Sequence, residues 1–180
     1  MKIITIVILL AFFIFRNSLT LLKGKRVINN VTTFIYIGRK LIEVTIFFII
    51  PTLLLLDIIL INVYKPLYYV GLLLSVLGLF FMVWTRFNRN NDWGFMGDTS
   101  GKDLFTNGPY KITRHPYYIG AIFVGVGIYL QLNYFFVILM IPVIFFILHV
   151  IRKEDNFLHN QFGVRFDEYK NRVGVFPWLY

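Results

Sequence analysis

The chain contains no cysteine, which removes disulfides, thiolate metal sites and a cysteine nucleophile together. Charge is scarce: only 15% of the 180 residues carry it, with 9 acids against 18 Lys and Arg. A surplus of +9 would suit nucleic acid if the cations gathered on one solvated face. They fall between long apolar runs instead, so no nucleic-acid partner is expected, and the charge bias of membrane loops accounts for them. The three histidines, His115, His149 and His159, lack the close spacing of a metal site, so no metal is expected. His149 lies in an apolar run and is expected to be a buried, satisfied side chain.

What is abundant is apolar surface. With 58% hydrophobic residues, the chain has more of it than a soluble domain of this length hides, so the bilayer is expected to be its solvent. The run at residues 3–22 ends at Lys23, Lys25 and Arg26. Its basic flank follows the apolar stretch and no small-residue cleavage site comes after, which reads as a first transmembrane helix rather than a signal peptide. Residues 41–62 form a second span with Glu43 near one end, Asp57 beyond, and Pro51 between them predicting a kink. Residues 67–84 form a third, in which Gly71, Ser75 and Gly78 make a small-residue stripe suited to helix packing.

Residues 85–116 read as a long polar, glycine-rich loop. Two apolar helices follow, 117–132 and 134–151, and the first would reach only about 24 Å, short of a roughly 30 Å hydrocarbon core. They read as a helical hairpin. Beyond it, residues 152–180 are amphipathic, with Gly163 and Pro177 as breaks, and are expected to continue the last span and then lie along the membrane surface. The fold class is therefore an all-α integral membrane protein with about five transmembrane helices, the last two a hairpin, and an amphipathic cytosolic C-terminal tail. Arg16 near the end of the first span, the region between the first two spans, the long loop and the tail hold 16 of the 18 basic residues, leaving only Lys2 and Lys65 on the other side. That bias places the N-terminus outside, and the long loop and C-terminus in the cytosol.

Chemistry concentrates at both ends of the hairpin. Pro109 and Pro116 stiffen the first end, and Gly108 and Gly120 are expected to let a ligand approach closely. Arg114 and His115 precede a helix opening near Pro116, whose free N–H groups suit an anion such as a carboxylate. At the second end, helical spacing puts Glu154 on the apolar stripe of Ile147, Val150, Ile151 and Leu158, where a carboxylate needs a partner. Asp155 falls on another face with Arg152 and His159, where a surface ion pair would explain it. Because the hairpin ends are neighbours, residues about forty apart are expected to meet.

The order Gly108-Pro109-Tyr110, Arg114-His115-Pro116, Tyr118, Gly120, a hairpin, the acidic pair Glu154-Asp155, and Phe162-Gly163 before Tyr169 resembles the isoprenylcysteine carboxyl methyltransferase family. More distantly it is similar to the phospholipid N-methyltransferases. The resemblance covers residues 104–177, and Asp155 stands where many relatives carry a second glutamate. It implies an S-adenosylmethionine-dependent enzyme, releasing S-adenosylhomocysteine, with a cytosol-facing cofactor pocket capped by the tail. A side opening would admit a lipophilic or lipidated acceptor from the surrounding membrane lipids. Tyr110, His115, Pro116, Tyr118, Gly120, Glu154 and Asp155 would hold the cofactor, and Arg114 and Glu154 would serve catalysis, Arg114 near the methyl-transfer centre. Residues 1–84 would then be the substrate-side transmembrane part and 85–180 the catalytic region, with oligomeric state left open.

Two other classes compete. The sterol-reductase group, which uses NADPH, resembles the C-terminal half in its hairpin and its Arg-plus-acid tail, but normally shows an Asn-Tyr pair where this chain has Pro116-Tyr117-Tyr118. A non-enzymatic transporter or scaffold would use Glu43 and Asp57 as an intramembrane polar path, with the loop motifs inert.

Overall fold

The structure is a computed structural model that describes residues 2–21, 49–55, 64–89 and 104–176. Among these residues the secondary structure is helical throughout, with no β-strand: α1 (Lys2–Leu21), α2 (Ile50–Leu55), α3 (Lys65–Asn88), α4 (Pro116–Leu132), α5 (Met140–Phe162) and α6 (Val164–Arg172). Short 3₁₀ turns at Gly108–Lys111 and Tyr134–Leu139 precede α4 and α5. Two stretches among the described residues are long and apolar enough to cross a membrane, Lys65–Asn88 and Tyr134–Phe162. Ile3–Ile14 and Pro116–Leu132 are shorter apolar helices. Most of the expected second span lies outside the described residues, including Glu43 and Asp57, as do Lys23, Lys25 and Arg26 and residues 90–103 of the long loop. Pro51 is buried in α2.

Local signals explain several boundaries. The α4 helix opens on Pro116 itself, whose missing N–H costs nothing at a first helical position. Asn133 stops it: the Phe136 N–H bonds the Asn133 carbonyl at 3.0 Å, and the Asn133 side chain accepts from the Phe135 N–H at 3.1 Å. The next segment winds as a 3₁₀ turn rather than the α-helix expected from residue 134. Pro142 supplies the reason, because it cannot donate to the carbonyl of Ile138 and fits best in the first turn of an α-helix, which begins at Met140. At the far end of α5, Gly163 adopts φ +55°, a conformation L side chains rarely adopt, and the chain turns directly into α6.

The chain divides into two compact units. In the first, residues 1–76 and 125–139, small residues bring backbones together: a Cβ at Gly71 would sit 2.5 Å from the Gly127 carbonyl oxygen. A buried polar chain ties the same contact. Thr5 Oγ1 donates to Gln131 Oε1 at 2.9 Å, and Gln131 Nε2 donates to Ser75 Oγ at 2.9 Å and to the Gly127 carbonyl at 3.2 Å. Ser75 completes it by donating to the Gly71 carbonyl, so the hydroxyl is hidden inside its own helix. The opposite faces carry exposed Ile3, Val7, Leu10, Tyr69, Val70 and Leu73.

The second unit comprises residues 77–124 and 140–180. Within it Gly78 and Gly120 repeat the packing device, each occupying the space a Cβ on the other would need. Exposed Phe80, Ile141, Phe145 and Phe146 face outward. A separate cluster of Tyr110, Phe166 and Tyr169, flanked by Leu104, Phe105, Leu158, Phe162 and Val173, holds α6 against the turn before α4.

His149 differs from expectation: it is exposed on α5. An apolar run embedded in lipid is not thereby inside the protein, and the buried side of α5 follows Met140, Val143, Val150, Ile151 and Asp155 instead.

Candidate active site

All the geometry that follows lies in the second unit. Arg114 and His115 leave the 3₁₀ turn just before α4, and Glu154 and Asp155 sit in the polar part of α5 beyond Ile151. His115 Nε2 lies 2.8 Å from Asp155 Oδ1, and Arg114 Nη2 lies 3.2 Å from Asp155 Oδ2, so one carboxylate takes the imidazole on one oxygen and the guanidinium on the other. His115 Nδ1 is 3.8 Å from Glu154 Oε2, beyond hydrogen-bond reach. The Tyr118 ring stands beside the imidazole, with centroids 5.9 Å apart. Arg114, His115, Pro116 and Asp155 are buried, and Glu154 and Tyr118 are half-buried.

The two acids therefore exchange the places expected of them. Asp155 is the buried, fully engaged member, not a surface partner of Arg152 and His159; His159 pairs instead with Asp167 at 2.8 Å on the exposed surface. The cause is non-local: α6 turns back at Gly163, and the Arg114 segment covers the face of α5 that carries Asp155. Glu154 keeps a buried oxygen, Oε2, with no hydrogen-bond partner among the described residues. Arg114 Nε is likewise buried and unpartnered. An unmet buried acceptor and an unmet buried donor in one cluster are costly by themselves and suit a ligand carrying both kinds of group.

The other expected contacts separate. Gly120 faces α3, where a Cβ would meet the Gly78 carbonyl and Met82 Cγ at 2.7 Å, so its lack of a side chain serves helix packing. Gly108 has φ +61° and its open side is filled by Asn88, whose Nδ2 donates to the Asn107 carbonyl at 3.1 Å. At both glycines the space a side chain would fill is taken by a neighbouring helix residue. Tyr110 lies under the tail: its carbonyl accepts from the Tyr169 hydroxyl at 2.7 Å, and its own hydroxyl accepts from Arg89 Nη1 at 3.4 Å. Burial pushes the Tyr110 and Tyr169 phenols upward; the neighbouring Arg89 opposes the rise at Tyr110 without cancelling it.

Arg89 was not singled out from the sequence, and Tyr169 entered only as part of the family pattern, not as a site residue. Arg89 is buried just past α3, with its guanidinium 5.0 Å from the Phe105 ring centroid. A lone cation at the end of an apolar helix gives only a weak signal, since an interfacial anchor looks the same.

A buried imidazole bonded to Asp155, with Glu154 beside it, sits at the polar end of an apolar helix. The phospholipid methyltransferase family model matches residues 66–165, more than half of the chain. The chain belongs to that family and is a membrane methyltransferase. The match takes in α3 as well as α4 and α5, so the likeness begins earlier than the polar motifs, and the reductase and transporter readings are not favoured. Among curated proteins and among solved structures, no match was found.

Proposed function

We propose that the chain transfers a methyl group from S-adenosylmethionine to a lipophilic acceptor that reaches the site from the bilayer. The acceptor group is a carboxylate, hydroxyl or amine, and the pattern around Arg114-His115-Pro116 favours a carboxylate, as in the isoprenylcysteine carboxyl methyltransferases that the chain resembles. The observation that carries the reading is the buried Glu154 Oε2, an acceptor without a donor among the described residues, beside an imidazole fixed by Asp155. The cofactor's ammonium and ribose hydroxyls are donors of the kind this oxygen lacks, and its carboxylate is an acceptor of the kind Arg114 Nε lacks.

When bound, S-adenosylmethionine supplies a methyl already activated by its sulfonium, so the protein's task is placement in a dry site. Asp155 fixes the His115 ring, Tyr118 packs beside it, and Glu154 holds the donor groups of the ligand. Tyr110, Phe166 and Tyr169 keep water from the tail side. An amine or hydroxyl acceptor needs a base, and Glu154 is the carboxylate not already committed to an ion pair with Arg114. The site and the C-terminus face the cytosol in this reading, as the basic loops imply, with the five spans and the hairpin expected from the sequence.

The test uses purified full-length chain in detergent or nanodiscs. S-adenosylhomocysteine should bind by calorimetry, NADPH should not, and Glu154→Gln should weaken binding about tenfold or more, as for loss of one hydrogen bond to a charged group. Incubation with methyl-labelled cofactor and host lipid extract then identifies the acceptor by mass. No response to S-adenosylmethionine or S-adenosylhomocysteine sinks the proposal.

A further inference from the structure

One arm of the Arg114 guanidinium is occupied by the C-terminal tail. Its Nη1 donates to the carbonyls of Lys170 at 3.2 Å and of Val173, and its backbone N–H donates to the Gly174 carbonyl at 3.1 Å. Next to it, Thr113 Oγ1 donates to the Val175 carbonyl and accepts from the His115 N–H at 3.2 Å. Lys170 is in the last turn of α6, where backbone carbonyls have no partner within the helix and the dipole is negative. A guanidinium there both caps the helix and meets favourable charge. The remaining guanidinium arm goes to Asp155, whose second oxygen holds His115.

We propose that Arg114 is a positioning residue: it latches the tail over the site and, through Asp155, fixes the His115 ring in the same act, rather than meeting the methyl acceptor. This rests on the methyltransferase reading above and assigns a different job to the residue expected near the transfer centre. Two tail contacts use both hydrogens of Nη1 and the ion pair uses one of Nη2, which leaves Nε and one Nη2 hydrogen for anything else. The latch couples tail closure to ring orientation, because the tail holds one terminal nitrogen of the same planar guanidinium whose other terminal nitrogen holds Asp155.

Hydrogen exchange read by mass spectrometry on the full chain measures the latch without any substrate. Arg114→Ala should speed exchange of the amides at 164–176 by about tenfold or more, the size expected for losing a hydrogen bond to a charged group. Thr113→Val, which removes one tail contact and leaves the ionic cluster intact, should speed the same amides less. Arg114→Lys, with one point of charge in place of a fork, should fall between wild type and Arg114→Ala. In parallel, the positioning role requires S-adenosylhomocysteine to bind at least fivefold more weakly in Arg114→Ala, with acceptor KM unchanged. Unchanged tail exchange in both Arg114→Ala and Thr113→Val overturns the latch. Raised acceptor KM with intact S-adenosylhomocysteine binding overturns the positioning role and returns Arg114 to the acceptor. Should wild type bind no S-adenosylhomocysteine, the methyltransferase reading fails while the exchange data still decide the latch.

Discussion

Replacing Gly120 by alanine separates a packing glycine from a ligand-lining one. An added Cβ would lie 2.7 Å from the Gly78 carbonyl oxygen and from Met82 Cγ, and 3.2 Å from the Met82 backbone nitrogen, where ordinary contact begins at 3.4 Å. The carbonyl cannot swing away without its helix, and Met82 is fully buried, so the two backbones must part by several tenths of an ångström. Overpacking of this kind costs about 1–3 kcal/mol. Alanine's better helix propensity returns roughly 0.8–1 kcal/mol, leaving a net loss of up to about 2 kcal/mol. Gly78→Ala should cost at least as much, because its Cβ would meet two backbone atoms, Gly120 O at 2.5 Å and Val124 N at 2.8 Å. The double variant should cost less than the sum, since both methyls push apart the same pair of backbones. Thermal unfolding in one detergent, followed by circular dichroism, measures all three. S-adenosylhomocysteine affinity, corrected for the folded fraction, should stay within about twofold of wild type, a change of under half a kcal/mol. Unchanged stability in Gly120→Ala together with a tenfold loss of affinity would refute the packing account and put a ligand at Gly120.

Gln131→Leu removes the bonds to Thr5 and Ser75; at about 0.6 kcal/mol each, and at most roughly 1.7, buried bonds between membrane helices predict a loss of about 1–3 kcal/mol in the same unfolding assay. Gly163→Ala should cost about 1–3 kcal/mol through backbone strain alone, since nothing lies within 4 Å of its Cβ, and Gly163→Asn should not recover it because ψ −129° is far from the left-handed helical region. Ultraviolet titration should find Tyr110 and Tyr169 protonated through pH 10, their usual midpoint. A folded-state pKa raised above the unfolded value means their contribution is complete below pH 10 and is lost as pH rises through the folded value, so ionisation near pH 10 in folded protein would contradict their burial. The exposed His159–Asp167 pair serves as a control: Asp167→Asn should change stability by less than about 1 kcal/mol.

What could be read from the sequence was what is written locally. Pro116 announces the start of α4, Asn133 its end, and Gly163 the turn into α6, because each acts through its own backbone. The stripe of Gly71, Ser75 and Gly78 announced a contact, since only close helix approach rewards small residues at that spacing. Asp155 was misplaced for the opposite reason. A helical wheel drawn on α5 knows only the stripe of α5, whereas Asp155 is buried by Arg114 and by the tail that Arg114 holds, both brought in by segments that no local period encodes.

The same reasoning explains the glycines and His149. A glycine beside polar motifs invites a ligand on paper, yet the space at Gly108 goes to Asn88 and that at Gly120 to Gly78, neighbours at least twenty residues distant in the chain. His149 was assigned to a core because it sits in an apolar run, but in a membrane protein apolar periodicity marks two kinds of apolar surroundings, lipid and protein, and cannot separate them. Polar residues do separate them, because an unpaired charge is expensive on either side and must find its partner inside. That is why the cluster of Arg114, His115, Glu154 and Asp155 was visible as a set before its internal pairing was, and why the pairing needed the tail.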